Sequence, residues 1–377
     1  MTSSPAAASP LLLDAERLAA LRLIRSENVG PVTYTKLVAR FGTPSAALAE
    51  LPDLAARGGA RRQVAIAPLA SVETELAAAQ RMGARFVIRG EADYPAMLLR
   101  TDAAPPVLAV MGETAQFERP AVAIVGARSA TAAGGKLARL FADGLGREGY
   151  CVVSGLARGI DTAAHEASLG TGTIGVFAGG LDRPYPPENR PLMRRIADGG
   201  GCLVTEMPFG WEPRAVDFPR RNRVVVALSL GVLVVEAAMR SGTLISARLA
   251  GELGRLLFAV PGSPLDAKSA GCNALIKDGA MLVTEPADIL DALAPLDGRS
   301  NARPGMFAEP PPSDPFEEPG DDERSRLVRA LSTTPVSLDD LIVHAEVDWS
   351  AAQVVLLELD LAGRLERHSG GRLSLLP

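Results

Sequence analysis

The sequence predicts an α/β protein: a parallel sheet with crossover helices in the middle of the chain, an all-α domain before it and a winged-helix-like domain after it. Three observations carry that prediction. Between Val122 and Ala250 one element recurs four times, a β-branched apolar run, a Gly-containing turn with an arginine nearby, and then a helical pattern. Short apolar runs alternating with helical patterns read as parallel strands joined by crossover helices. Ahead of this core the apolar residues recur at helical spacing. Behind it, a proline-rich stretch leads into three short helical segments and a Gly-linked hairpin.

Residues 1–13 are small residues, prolines and a short Leu11–Leu13 run, and are read as disordered. The helical domain follows over 14–80, with Asp14 or Ser26 placed to cap what comes next. Leu18–Ile24 and Val32–Phe41 flank the turn Asn28-Val29-Gly30-Pro31, and Gly42-Thr43-Pro44 starts a third helix. This order resembles a helix-hairpin-helix or SAM-like bundle. Turn amides in such a hairpin either grip a DNA phosphate or simply close a packed bundle, and Asn28 stands where the hairpin's second glycine is usual. Arg85–Ile88 gives a short strand entering the core domain, assigned to 81–297.

The four core runs are Val122–Val125 into Gly126-Ala127-Arg128-Ser129, Cys151–Val153 into the Ser154–Gly159 turn, Ile174–Phe177 into Gly179–Arg183, and Val232–Val235 into Arg240–Thr243. Residues 298–322, with Pro304, Pro310-Pro311-Pro312, Pro315 and Pro319, read as a flexible linker. The last domain, 323–377, has helical segments at Ser325–Leu331, Leu338–His344 and Ala351–Ala362 and a hairpin around Gly370-Gly371. No basic residue lies in Ala351–Ala362, and residues 321–377 hold 6 Lys+Arg against 10 Asp+Glu. A recognition helix without cations points to protein contact rather than duplex binding.

In parallel sheets ligands bind outside the carboxyl ends of the strands, so the turn arginines gather on one edge beside helix N-termini. An anionic ligand is expected there, most simply phosphate. The first turn is not a dinucleotide fingerprint: in register with Gly126, the second glycine of G-x-G-x-x-G is Arg128 and the third is Thr131. An arginine in that place blocks close backbone approach and offers a planar fork to a phosphate. A phosphodiester backbone fits better than NAD.

At 377 residues, 47% hydrophobic and 22% charged, the chain has ample core material for two or three domains. Neither a run of about 18 apolar residues nor a basic signal-like N-terminus is present, so a cytoplasmic location is expected. Cys151, Cys202 and Cys272 are far apart, and with only three histidines no metal site or cofactor is predicted. The net charge of −5 hides a local excess: seven arginines fall within residues 190–223. Only four of the 39 basic residues are lysine, so that richness is equally a mark of coding bias. Aromatics are scarce at 4%; Tyr185, Phe209, Trp211 and Phe218 are candidates to stack on bases, while Phe177 is expected in the core.

Taken together, Val122–Ala130, Ser154–Asp161 with His165, Tyr185–Asn189, Phe218–Arg223, Arg240–Thr243 and Pro261-Gly262 through Gly279 resemble the DprA/Smf family of bacterial DNA-processing proteins. The resemblance spans nearly the whole chain. It implies an extended Rossmann-like core that dimerises, without catalytic activity, and a protein that binds single-stranded DNA during natural transformation, protects it and loads the RecA recombinase. Carried over by residue, it places the strand pocket at Arg128, Ser129, Gly155, Arg158, Gly159, Asn189, Arg221, Asn222, Arg223, Ser241, Gly242 and Thr243. Pro187 and Ala215 stand where members often have lysine, with Arg190, Arg214 and Lys277 as candidate supporting cations. Leu275, Ile276 and Leu282 are the candidate dimer or RecA surface; equally, they are interior residues.

The rival class is a nucleotide-processing enzyme of the LOG phosphoribohydrolase type, which the Arg240–Ala247 region resembles. Ser246 occupies the place of that group's catalytic glutamate. Asp161 and His165, four apart on one helix face, are either an acid/base or metal pair or a helix cap and a structural histidine. Glu206 and Glu236 end apolar runs, where pairing with arginine is expected.

Overall fold

The computed structural model describes residues 14–60, 62–101, 103–296, 319–368 and 371–376. Residues 1–13, Gly370 and most of the proline-rich stretch lie outside them. The chain divides into two compact units, Thr74–Pro304 and Pro10–Glu73 with Gly305–Pro377.

The first unit is built on a nine-stranded sheet. β1 (Ala84–Ile88) pairs antiparallel with β2 (Val107–Gly112), and β2 pairs antiparallel with β6 (Cys202–Thr205). From β6 the sheet continues in parallel through β5 (Thr173–Val176), β4 (Cys151–Ser154), β3 (Ala121–Val125), β7 (Gly231–Val234), β8 (Leu256–Ala259) and β9 (Met281–Leu282). The four runs read from sequence are β3, β4, β5 and β7. Their residues are almost wholly buried because helices cover both faces, which is why they read as continuous apolar runs rather than alternating ones.

One face of the sheet is covered by α6 (Ala132–Arg147), α7 (Ile160–Ser168) and α12 (Pro286–Leu293). Facing helices on the other side are α9 (Asp217–Ala227), α10 (Thr243–Glu252) and α11 (Ala270–Lys277). From β3 the chain moves outward through β4, β5 and β6, then returns to lay β7 on the other side of β3. That reversal leaves a crevice between the loops that follow β3 and β7.

In the second unit α1 (Asp14–Arg25), α2 (Pro31–Phe41) and α3 (Pro44–Arg57) pack with α13 (Asp321–Ala330), α14 (Leu338–Ala345), α15 (Trp349–Leu361) and the hairpin of β10 (Leu365–Arg367) and β11 (Leu373–Leu375). Pro31 and Pro44 each open a helix at the position where the missing N–H costs nothing, and Thr43 caps α3 by accepting the Ala46 N–H at 3.2 Å.

α15, in the place of a recognition helix, is buried on both sides. Ala352, Val355, Leu356 and Leu359 join the core of the C-terminal segment, while Glu358 and Leu361 meet the N-terminal helices. Asn28, at φ +62°, takes the left-handed turn conformation itself and donates its Nδ2 to the Leu361 carbonyl at 3.0 Å. The hairpin turn expected to face DNA or close a bundle is therefore tied to the end of α15, while Asn28 itself stays exposed. Glu358, 1% exposed, receives Arg324 at 3.1 Å and Arg57 at 3.4 Å. Gly58 touches the α15 backbone so closely that a Cβ there would strike the Glu358 carbonyl.

Candidate nucleic-acid interface

The crevice between the β3 and β7 loops is a cleft of about 510 Å³, continuous with a 290 Å³ hollow that reaches Arg158, Tyr185 and Pro186. Four cations line the cleft, Arg128, Arg221, Arg240 and Lys268, against one carboxylate, Asp161. Ser129, Gly155, Asn222, Ser241, Gly242 and Thr243 line it as well, so nine of the twelve sequence-predicted residues border the cleft or its hollow once Arg128, Arg221 and Arg158 are included.

Arg128 is exposed and its guanidinium lies 5.0 Å from the centroid of the Phe218 ring. Phe218 in turn meets Tyr185 edge-on, centroids 5.5 Å apart. A cation held over an aromatic face is positioned without a carboxylate partner, and Arg128 has none among the described residues. Lys268 donates its Nζ to the Ser129 carbonyl at 2.7 Å, which fixes the β3 loop and places a second charge beside it. Ser241 accepts the Thr243 N–H at 3.1 Å and donates to Thr243 Oγ1 at 2.9 Å, leaving the Thr243 hydroxyl hydrogen to be donated at the start of α10.

Arg221 works from below. It is buried, its Nη1 reaching the carbonyls of Gly155 and, at 2.9 Å, Val176. Burial brings its guanidinium down to about 10, against the raising effect of Asp161. Gly155 is a glycine because a Cβ would collide with this guanidinium. Asp161 accepts the N–H groups of Gly155 at 3.1 Å and Ala157 at 3.3 Å. Burial pushes the Asp161 carboxyl up, while Arg221 and those amides favour its charged form. The loop amides thus point inward to a carboxylate, and the loop offers Arg158 and its outer backbone rather than a nest of N–H groups.

Three predicted residues have other places. Asn189 is buried and donates its Nδ2 to Leu156 O at 2.8 Å and Thr162 Oγ1 at 2.9 Å, clamping the same loop from behind. Gly159, at φ +75°, lets the chain pass the Ala127 and Arg128 carbonyls. Arg223 turns away from the cleft to Glu206 at 3.1 Å and to the Ala103 carbonyl, because α9 points residues 221 and 223 in different directions. Of the supporting cations, Arg214 stacks 4.3 Å from the Trp211 ring and pairs with Asp217 at 3.5 Å, while Arg190 and Lys277 are exposed outside the cleft lining. Phe209 packs edge-on to Phe86, and Phe177 is buried as expected. Leu275 and Ile276 are half-buried against the sheet core, whereas Leu282 is exposed.

Lys268 was not singled out from the sequence, although it lies inside the Pro261–Gly279 stretch; a lone lysine in a Gly/Pro/Ser loop carries no periodic signal. Glu206 takes Arg220 and Arg223 as expected. Among the described residues Glu236 has no arginine partner: it accepts the Thr131 N–H at 3.0 Å and the Thr131 hydroxyl, whose oxygen caps α6 by accepting the Gly134 N–H. His165 is buried against Thr173 Oγ1 at 2.7 Å, and burial lowers it to about 3, so it is a neutral structural residue. Ser246 lines the cleft where the hydrolase reading needs a carboxylate. Among the described residues no group of three metal-ligating side chains occurs, and no helix is long and apolar enough to cross a membrane.

Residues 85–294 match the family described as DNA recombination-mediator protein A, residues 14–78 the DprA-like N-terminal HHH domain and residues 309–371 the DprA winged helix domain. The chain is 38% identical over 310 residues to Protein Smf of Escherichia coli, covering 81% of each. It is 44% identical over 199 residues to DNA processing protein DprA of Streptococcus pneumoniae, covering 52% of this chain and 70% of that one. The X-ray structure of the Streptococcus pneumoniae protein superposes with a TM-score of 0.63 at 33% identity, over 74% of this chain and 98% of that one. DNA processing protein A of Helicobacter pylori, described for its single-stranded DNA binding mode, superposes at 0.52 with 29% identity, over 56% and 96%.

Proposed function

The chain belongs to the DNA recombination-mediator protein A family, and on that premise we propose that it binds single-stranded DNA in the cleft above β3 and β7, protects the strand and loads RecA onto it during transformation or recombination. The observation that carries this reading is Arg128, held over Phe218 without a carboxylate and flanked by Lys268 and Arg240. Phosphates would sit against Arg128, Arg240, Lys268 and the Gly242–Thr243 helix start. Bases would stack on the Phe218–Tyr185 pair, a sequence-tolerant contact worth about 1–3 kcal/mol per base. The one carboxylate in the cleft, Asp161, is turned inward to the Gly155 and Ala157 amides, and Ser246 stands where the hydrolase reading needs a second, which favours binding over hydrolysis. Leu282 and its neighbours at the sheet edge beyond β8 would serve a homodimer or RecA contact.

The test is a fluorescence anisotropy titration with single-stranded and duplex oligonucleotides of equal length, on the parent and on Arg128→Ala. The expected outcome is preference for the single strand and a loss of about tenfold or more for the variant. Equal binding of both forms, unaffected by the substitution, contradicts the proposal. RecA loading is read separately, as the rate at which RecA filaments grow on strands precoated with single-strand-binding protein.

A further inference from the structure

α8 (Arg190–Asp198) turns Leu192, Met193 and Ile196 into the core and leaves Arg190, Arg194 and Arg195 exposed. Several other exposed arginines of this unit are drawn to carboxylates, Arg85 to Asp93 at 2.5 Å, Arg147 to Asp143 at 2.9 Å and Arg183 to Glu212 at 3.0 Å, whereas Arg128 and Arg240 at the cleft, and Arg100 and Arg248, have no carboxylate among the described residues. The three on α8 make no side-chain hydrogen bond or ion pair among the described residues, although Asp198 stands four residues beyond Arg194. Glu188, just ahead of the helix, faces Arg158 instead. Arg190 and Arg194, four residues apart, are like charges on one side of the helix and repel, and Arg190 in the first turn opposes the helix dipole; Arg195 lies further round the exposed side, in the last turn. Such a stripe is stabilised by an anion from outside.

Its position says which anion. Asn189, immediately before α8, is hydrogen-bonded to the Leu156 and Ala157 carbonyls of the cleft loop. The helix therefore starts at the rim of the hollow that Tyr185 and Arg158 line. We infer that a single strand leaving the cleft past Tyr185 and Arg158 continues along α8, where Arg190, Arg194 and Arg195 neutralise its phosphates; this rests on the reading that the cleft holds single-stranded DNA. Arg190 and Arg194 are about 6 Å apart along the helix axis, a spacing that suits neighbouring phosphates of an extended strand. Guanidinium forks bind phosphate bidentately and read no base. The stripe thus lengthens the site without adding sequence preference.

The experiment replaces all three by glutamine, Arg190→Gln, Arg194→Gln and Arg195→Gln, and titrates parent and variant with oligothymidylates of about 6 and about 25 nucleotides. The variant is expected to bind the short strand as the parent does and the long strand about tenfold more weakly. Its slope of log affinity against log salt on the long strand should fall by about 2, from three phosphates at about 0.7 each. The corresponding triple lysine variant, which keeps the charge, should restore that slope. Unchanged slope and affinity on the long strand overturn the inference, as does an equal loss on both lengths. A parent protein that binds neither strand is a failure of the cleft reading itself, and is seen before any variant is made.

Discussion

A carboxylate beneath a cleft lined by cations needs a physical reason, and Asp161 has one in the amides of Gly155 and Ala157 and the buried Arg221. Asp161→Asn keeps the shape but takes the counter-charge from a buried guanidinium and weakens two charge-assisted hydrogen bonds. The expected cost is about 1–3 kcal/mol in denaturant unfolding, with weaker strand binding because the loop loosens; full stability in the variant would show that the carboxylate is idle. His165 supplies a pH signature. Its folded value near 3 lies below the unfolded value of 6.5, so above 6.5 it is neutral in both states and contributes no pH dependence. As pH falls from 6.5 towards 3 the unfolded chain takes up a proton that the folded protein refuses, and stability declines. Melting curves across that range should decline less steeply for His165→Gln than for the parent; parallel curves would contradict the assignment. Arg128, Ser241 and Gly242 were legible in the sequence because each follows an apolar run at a strand end. Arg223 and Asn189 were not, since whether a side chain enters a cleft or braces its wall depends on partners, Glu206 and the Leu156 carbonyl, far away in sequence.

The elements recognised from pattern were those with a strong period or a clear break. β3, β4, β5 and β7 stood out as buried apolar runs, and α2 and α3 through Pro31, Gly42 and Pro44. β6, β8 and the antiparallel strand β2, which lies between β1 and β6, are short runs between Gly and Pro residues and did not. The role of α15 was only half legible: its lack of cations told against DNA, but the sequence gives no sign that the N-terminal helices cover it. That packing depends on Gly58, Asn28 and the Glu358 pair with Arg57 and Arg324. Glu358→Ala removes the buried carboxylate that Arg324 and Arg57 share and should destabilise this unit by about 3 kcal/mol, the lower end of the range for broken buried pairs because Arg57 is partly exposed. Gly58→Val should do similar damage by steric collision with α15. Hydrogen exchange of α1–α3 and α15 is the readout: both segments should lose protection together, and loss confined to α15 would contradict the shared core.

For the whole molecule, a net charge of −5 coexists with a cleft and a helix face that carry unpaired arginine. Binding should accordingly weaken steeply with salt despite the acidic total, since only the local phosphate contacts release counterions. The measurement that tests the central claim most directly is photo-cross-linking of an iodouracil-substituted single strand, followed by mapping of the attached peptides. Cross-links at Phe218 or Tyr185, lost in the Arg128→Ala variant, are the predicted result. Cross-links confined to residues 14–73 or 319–376 would contradict it, because they would put the strand on the other unit.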